Sequence, residues 1–242
     1  MIEAAITSQR SGAVLREIGN LEVIHGHLEL LKDLRVAGKA VARISSPGCG
    51  KARELILAKL HERETVVAKA LVVLLKDPRF TRCPMDQILS SMPSLSDATL
   101  RGRQSVRVRQ MRRQIQRAGA MFQKSTREET ETVRLLLKWI RRHRDHSNTV
   151  QPVLDMQVMG DPRLLGELGR AVKRVDDWRP AACFIAEQLL QAGKGDPEWT
   201  DRLQRLETAL HEELRKDRKR LRKRLKRDGL DWLSATALRG NL

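Results

Sequence analysis

Tyrosine is absent from this chain of 242 residues, and the remaining aromatics amount to only 3% of it. Its 40% hydrophobic content is therefore mostly Leu, Ile, Val, Ala and Met, a core that suits packed helices better than a sheet, where aromatic and β-branched residues are favoured. Cysteine is also scarce. Cys49, Cys83 and Cys183 are odd in number and lack paired spacing, which argues against a disulfide framework and for a reducing compartment. The most apolar stretch, "TVVAKALVVLLK" from Thr65, is too short to cross a bilayer and contains Lys69, so it reads as a core helix. The opening "MIEAAITSQR" has no apolar segment of the kind a secretory signal needs.

Acid is missing from one region in particular. Residues 101–127 carry nine Lys and Arg and no Asp or Glu, and residues 214–227 carry ten against the single Asp217. The chain's formal net charge is +17, so these two runs account for all of it and leave the remainder close to neutral. Charge concentrated in this way points to a polyanionic partner; the alternative is a set of merely solvated helix faces. A membrane surface fits less well than nucleic acid, because the apolar side of the C-terminal run lacks the Trp or Phe that anchors interfacial helices.

Periodicity and breakers predict an all-α protein, a helical bundle with helix-turn-helix units followed by a C-terminal helical region that ends in a long basic helix. Helices are predicted over Ser11–Leu34, Ala37–Ser45 and Lys51–Arg63, then over 65–76 up to the stop imposed by Pro78. A short helix can start at Pro84, and a long basic helix follows Ser96 as N-cap. Residues 126–146 form the next helix, and the turn-rich 147–162 reads as a connection between a nucleic-acid-binding domain of residues 1–146 and a C-terminal region of residues 163–242. Within that region helices are predicted over 163–176 and 180–192, then from Pro197 to Arg227. In the last, Leu203, Leu206, Leu210, Leu214, Leu221 and Leu225 form a coiled-coil-like stripe on which a second copy or a protein partner could pack. A tandem repeat is suggested over 30–60 and 74–105: "LLKDLR" at Leu30 recurs as "LLKDPR" at Leu74, and "ISSPGCGKA" at Ile44 as "LSSMPSLSDA" at Leu89.

The stretch "ISSPGCGKARELILAKL", from Ile44, admits two chemistries. A nucleotide-binding P-loop needs G-x-x-x-x-G-K-[ST], with glycines around the phosphates, a Lys for their charge and a hydroxyl for Mg²⁺. Here Ser45 stands at the first glycine and Ala52 at the hydroxyl, so phosphate and metal chemistry both fail. The same residues resemble the helix-hairpin-helix element of DNA-binding proteins, and within that family the actinobacterial type of integration host factor, over about residues 13–62 or, in the second copy, 74–110, and never the C-terminal hundred. The resemblance implies that Gly48 and Gly50 make a turn whose amides approach a DNA phosphate, that Cys49 points inward, and that Lys51 and Arg53 reach the backbone. Ser46 stands where the family usually has Leu.

After Ser96, Arg101, Arg103, Arg107, Arg109, Arg112 and Arg113 recur among Val106, Val108, Met111 and Ile115, giving a helix held on one side and charged over the rest. Arginine's planar fork suits phosphate contacts, and no Asn/Gln pattern marks base reading. In "KDRKRLRKRLKR", Arg218, Lys219, Arg222 and Lys223 supply a further phosphate-binding set, unless the run is a solvated face or, in a eukaryotic host, a nuclear address. His143 and His146 share a helix face but have no third ligand in view, and no nucleophile or carboxylate pair can be assigned, so neither metal, cofactor nor enzymatic activity is expected. The expectation is a non-enzymatic protein that binds duplex DNA by its phosphates, located in the cytoplasm at the nucleoid or, in a eukaryote, in the nucleus. The alternatives are a viral or phage nucleoprotein or matrix protein that coats nucleic acid, RNA included, and an adaptor that uses the leucine stripe.

Overall fold

The computed structural model describes residues 11–78, 97–124, 129–154, 162–193, 196–230 and 233. Among them the chain forms seven helices and no strand: α1 (Ser11–Ala42), α2 (Gly50–Lys76), α3 (Asp97–Lys124), α4 (Glu129–Leu154), α5 (Pro162–Asp176), α6 (Trp178–Ala192) and α7 (Pro197–Asp228). The protein is all-α. No helix among the described residues is long and apolar enough to cross a membrane. Two compact units result, one from Met1–Ser94 with Pro180–Glu207, the other from Leu95–Arg179 with Thr208–Leu242. Each of the two stretches read as domains, 1–146 and 163–242, contributes to both units.

In the first unit, helices α1 and α2 form an antiparallel hairpin. The sequence predicts each as two helices, but both run unbroken. Gly38, near the C-terminal end of α1, carries an intrinsic penalty of about 1 kcal/mol relative to Ala, yet Ala37, Ala40 and Val41 around it are at most 1% exposed, and their packing outweighs propensity. In α2, Leu60 and Val67 are buried on one face across the predicted break, and Thr65 Oγ1 donates to the His61 carbonyl at 2.9 Å instead of interrupting the helix. Arg35 Nε meets Glu64 Oε1 at 2.7 Å across the hairpin. The stop at Pro78 holds: α2 ends at Lys76, and Asp77 is extended (φ −82°, ψ 120°), as a residue preceding proline prefers.

The apolar stretch read as a core helix is only half buried. Val67 and Leu71 face inward, whereas Val66, Val72, Val73 and Leu75 are exposed, two of them above 60%. Residues 180–192 of α6 bury Ala181, Phe184 and Ile185. Here Gln188 accepts from Lys59 Nζ at 2.6 Å, and Arg63 lies 5.9 Å over the Phe184 ring while pairing with Glu187 at 2.8 Å. The start of α7 also belongs to this unit. Asp196 Oδ1 accepts the Trp199 amide at 3.0 Å and Pro197 takes the first helical position, an N-cap and N1 pair that fixes the start expected from "GDPEWT". The proposed second repeat copy falls largely on residues 79–96, outside the described residues.

The second unit holds α3, α4, α5 and the part of α7 from Thr208 onward. Val108, Met111, Ile115 and Phe122 line the inner face of α3, Leu136, Leu137 and Ile140 that of α4, and Val172 and Val175 that of α5. Gly169 lets α5 approach α4 closely, since a methyl group there would sit 3.2 Å from Ile140 Cγ2. Helix α4 continues to Leu154 through residues read as a connection. All six leucines of the α7 stripe are buried, Leu214 being the most exposed at 9%, so the surface expected to serve a second copy is occupied inside the chain's own core.

Candidate nucleic-acid interface

The turn before α2 is built by its sequence. Cys49 N–H donates to the Ser46 carbonyl at 3.3 Å across Pro47 and Gly48, and Gly48 has φ +82°, the arrangement of a type II turn with Pro second and Gly third. Cys49, at 2% exposure, points inward as the hairpin pattern implies. The first helical bond of α2 is from Arg53 N–H to the Cys49 carbonyl, at 2.8 Å, and no side chain caps the start. The amides of Gly50, Lys51 and Ala52 therefore precede the intrahelical ladder with no acidic residue in the first turn, which is the electrostatics an anion needs.

Two of the four residues read from this motif behave differently from expectation. Gly50 has ordinary helical geometry and open space where a Cβ would be, so only Gly48 requires glycine. Arg53 turns inward, its Nη1 donating to the Ile44 carbonyl at 2.8 Å, and closes the hairpin from within. Lys51 is exposed.

Helix α3 presents a different surface. Its only acid is Asp97 at the first position, and Arg103, Arg107, Arg109 and Arg113 are exposed, as is Arg117, which sequence reasoning left out of the site although it continues the i, i+4 row of Arg109 and Arg113. Arg109, Arg113 and Arg117 flank a shallow groove of about 410 Å³ with Gln110 and Gln114. Successive members stand about 6 Å apart along the helix. None of these five makes an ion pair with a described residue. The side chain of Arg101 lies outside the described set.

Arg112 is the exception on α3. It is 7% exposed and shares the α3–α4 interior with His143, which burial, then Arg112 and His146, push down to about 4. His146 is lowered too, first by burial and then by Arg107, and burial lowers Arg112 itself. Both imidazoles are thus neutral near pH 7. Among the described residues no group of three His, Cys, Asp or Glu could hold a metal.

No family model, curated protein or solved structure matches this chain. The residues alone carry the functional argument.

On α7 the four basic residues singled out from sequence separate into two pairs. Lys219 and Lys223 are exposed, whereas Arg218 and Arg222 are half-buried, with Arg222 lying 5.4 Å over the Phe122 ring and burial lowering the pKa of Arg218. Of the exposed cations on this helix, Arg215, Lys219, Lys223 and Lys226 make no ion pair with a described residue, while Lys216, Arg220 and Arg227 pair with Glu213, Asp217 and Asp228.

The division into units sorts the charge. The second unit holds 30 of the 47 Lys and Arg but only 15 of the 30 acids, a net +15; the first is left with +2. Sequence reasoning located two basic runs but missed Arg170 and Arg174 of α5, which belong to the same unit; their one-turn spacing was the available signal.

Proposed function

We propose that this chain is a non-enzymatic nucleic-acid-binding protein that grips the phosphates of duplex DNA, chiefly through the outer face of α3. The observation that carries the reading is the pair of i, i+4 rows on α3, Arg103 with Arg107 and Arg109 with Arg113 and Arg117, all exposed, none in an ion pair with a described residue, on a helix free of acid beyond its first residue. Within each row the guanidinium groups recur at about 6 Å along the helix, which suits a backbone carrying one charge per 3.4 Å of each strand. The exposed lysines of α7 add a second contact. The turn at Gly48, with the uncapped start of α2, adds a third of the helix-hairpin-helix kind, and together they support an architectural role at the nucleoid, or in a nucleus if the host is eukaryotic.

Duplex is favoured over single strands because the chain has no Tyr and few other rings on which unpaired bases could stack, and Phe122, Phe184 and Trp178 among them are buried. A coat protein of nucleic acid would use the same arginines, and it differs in forming nucleic-acid-dependent filaments. The adaptor reading has lost the leucine stripe that motivated it.

Gel-shift titrations of duplex DNA, single-stranded DNA and RNA at several salt concentrations test the reading. With roughly 6 to 10 phosphates neutralised, duplex affinity falls about a thousandfold or more between 50 and 200 mM salt. A shallow slope, or tighter binding of single strands than of duplex, would overturn it.

A further inference from the structure

Helices α5 and α7 enclose a cleft of about 780 Å³ within the second unit. Its walls carry six cations, Arg170 and Arg174 from α5 and Arg220, Lys223, Arg224 and Arg227 from α7, against two carboxylates. The geometry points to this cleft as a binding site for a compact oligophosphate, the chemistry shared by an inorganic phosphate chain and the triphosphate of a nucleotide.

Three features support that assignment. First, the site is braced from behind. The Trp178 indole donates to Asp217 Oδ2 at 2.9 Å, and the other oxygen of that carboxylate takes Arg220 Nη1 at 3.0 Å, so a buried group aims an arginine at the cleft. Glu167 holds Arg224 in the same way, while Asp228 takes Arg224 Nε at 3.2 Å and Arg227 Nε at 2.6 Å. Second, Arg170, Arg174 and Lys223 are exposed and make no ion pair with a described residue, so three cations remain after the three carboxylates are matched. Arg170 and Arg174 stand about 6 Å apart on one wall, as Arg220 and Arg224 do on the other. Two facing rows of guanidinium forks match an anion with oxygens on all sides.

Third, the lining excludes the alternatives. The volume lies within the range of small-ligand sites, about 300–1,000 Å³, and a duplex could only lie across the mouth. Among the described lining residues only Ala171 and Leu221 are apolar, so a base or sugar would find no ring and little apolar surface there. Recognition then rests on phosphate alone.

Calorimetric titration of the full chain with sodium tripolyphosphate, ATP and AMP at fixed ionic strength tests this. Tripolyphosphate is expected to saturate a single site, ATP to bind within a few-fold of it, and AMP to bind at least tenfold more weakly. Arg170→Ala with Arg174→Ala should weaken tripolyphosphate at least tenfold, and Lys223→Ala, a single exposed change on the other wall, should weaken it several-fold. Arg109→Ala with Arg113→Ala on α3 should leave it unchanged. Unaltered affinity in the α5 and Lys223 variants overturns the site, as does heat that never saturates, or ATP bound much more tightly than tripolyphosphate. Duplex binding by α3 is measured separately and does not depend on the result.

Discussion

Trp178 and Asp217, thirty-nine residues apart, meet inside the second unit with the indole nitrogen 2.9 Å from the carboxylate oxygen. Asp217 is the single acid within the basic run of α7 and is only 6% exposed. A charge so placed is tolerated because Arg220 pairs with it and the indole donates to it. Removing it strips a partner from the buried indole N–H, whereas Arg220, its side chain largely exposed, turns to water. Asp217→Ala is therefore expected to lower stability by about 1–3 kcal/mol, and Asp217→Asn, which keeps an acceptor, by less; urea unfolding of the full chain measures the difference. Equal stability in all three proteins would show that the bond is dispensable.

The turn before α2 separates its two glycines. Gly48→Ala places a Cβ on a backbone with φ +82° and is expected to destabilise by about 1 kcal/mol or somewhat more. Gly50→Ala, in helical geometry with open space around it, should be neutral or stabilising by up to about 1 kcal/mol. Thermal melts of the two single variants check the contrast, and a larger loss at Gly50 would contradict it.

Acid should weaken the α3–α4 interface. His143 titrates near 4 in the folded chain, below its ordinary value of 6.5, because burial and then Arg112 and His146 disfavour the imidazolium. Between these values the unfolded chain binds the proton and the folded chain does not, so the stability this site contributes is whole above about pH 6.5 and falls on acidification toward pH 4. The integrated effect is on the order of 3 kcal/mol. Denaturant unfolding at pH 7.5 and pH 5 should show most of that slope in the wild type and much less in His143→Leu. A wild type as stable at pH 5 as at pH 7.5 would refute the assignment.

Charge removal on α3 has a signature that unfolding lacks. Arg109→Ala, Arg113→Ala and Arg117→Ala should each weaken duplex binding about equally for every sequence, and each should reduce the slope of log affinity against log salt by about one. Arg53→Ala, whose side chain bonds the Ile44 carbonyl, should instead lower stability with little change in salt slope. The reverse pattern would move the interface from α3 to the hairpin.

Helix ends marked by proline were the most legible part of the fold, because their chemistry is local, whereas the breaks expected near residues 35, 64 and 146 did not form. Pro78 ends α2 after Lys76, and Asp196 with Pro197 opens α7 where "GDPEWT" says it should. The direction in which a cation points was less legible. Arg112 lies on the side of α3 that Val108, Met111 and Ile115 already define as internal, so its burial follows from the same periodicity once the helix has a partner. Arg53 could not be placed from its neighbours in sequence, because the carbonyl that holds it is nine residues away at the end of α1. The cleft needed more still: Arg170 and Arg174 look like ordinary surface residues until α5 stands beside α7, and no local pattern encodes that pairing. The leucine stripe was read correctly as a packing surface, but the spacing of leucines does not say whose side chains will cover it.

The interleaving of the two units also has a consequence for synthesis. Met1–Ser94 needs Pro180–Glu207 to complete its unit, and Leu95–Arg179 needs Thr208–Leu242. As the chain emerges from the ribosome neither unit can close before its distant piece has been made, so the early helices wait with apolar faces uncovered while more than eighty intervening residues are translated. During that interval the face of the first helical hairpin that residues 180–207 later cover stays open, and its dwell time is set by the speed of translation.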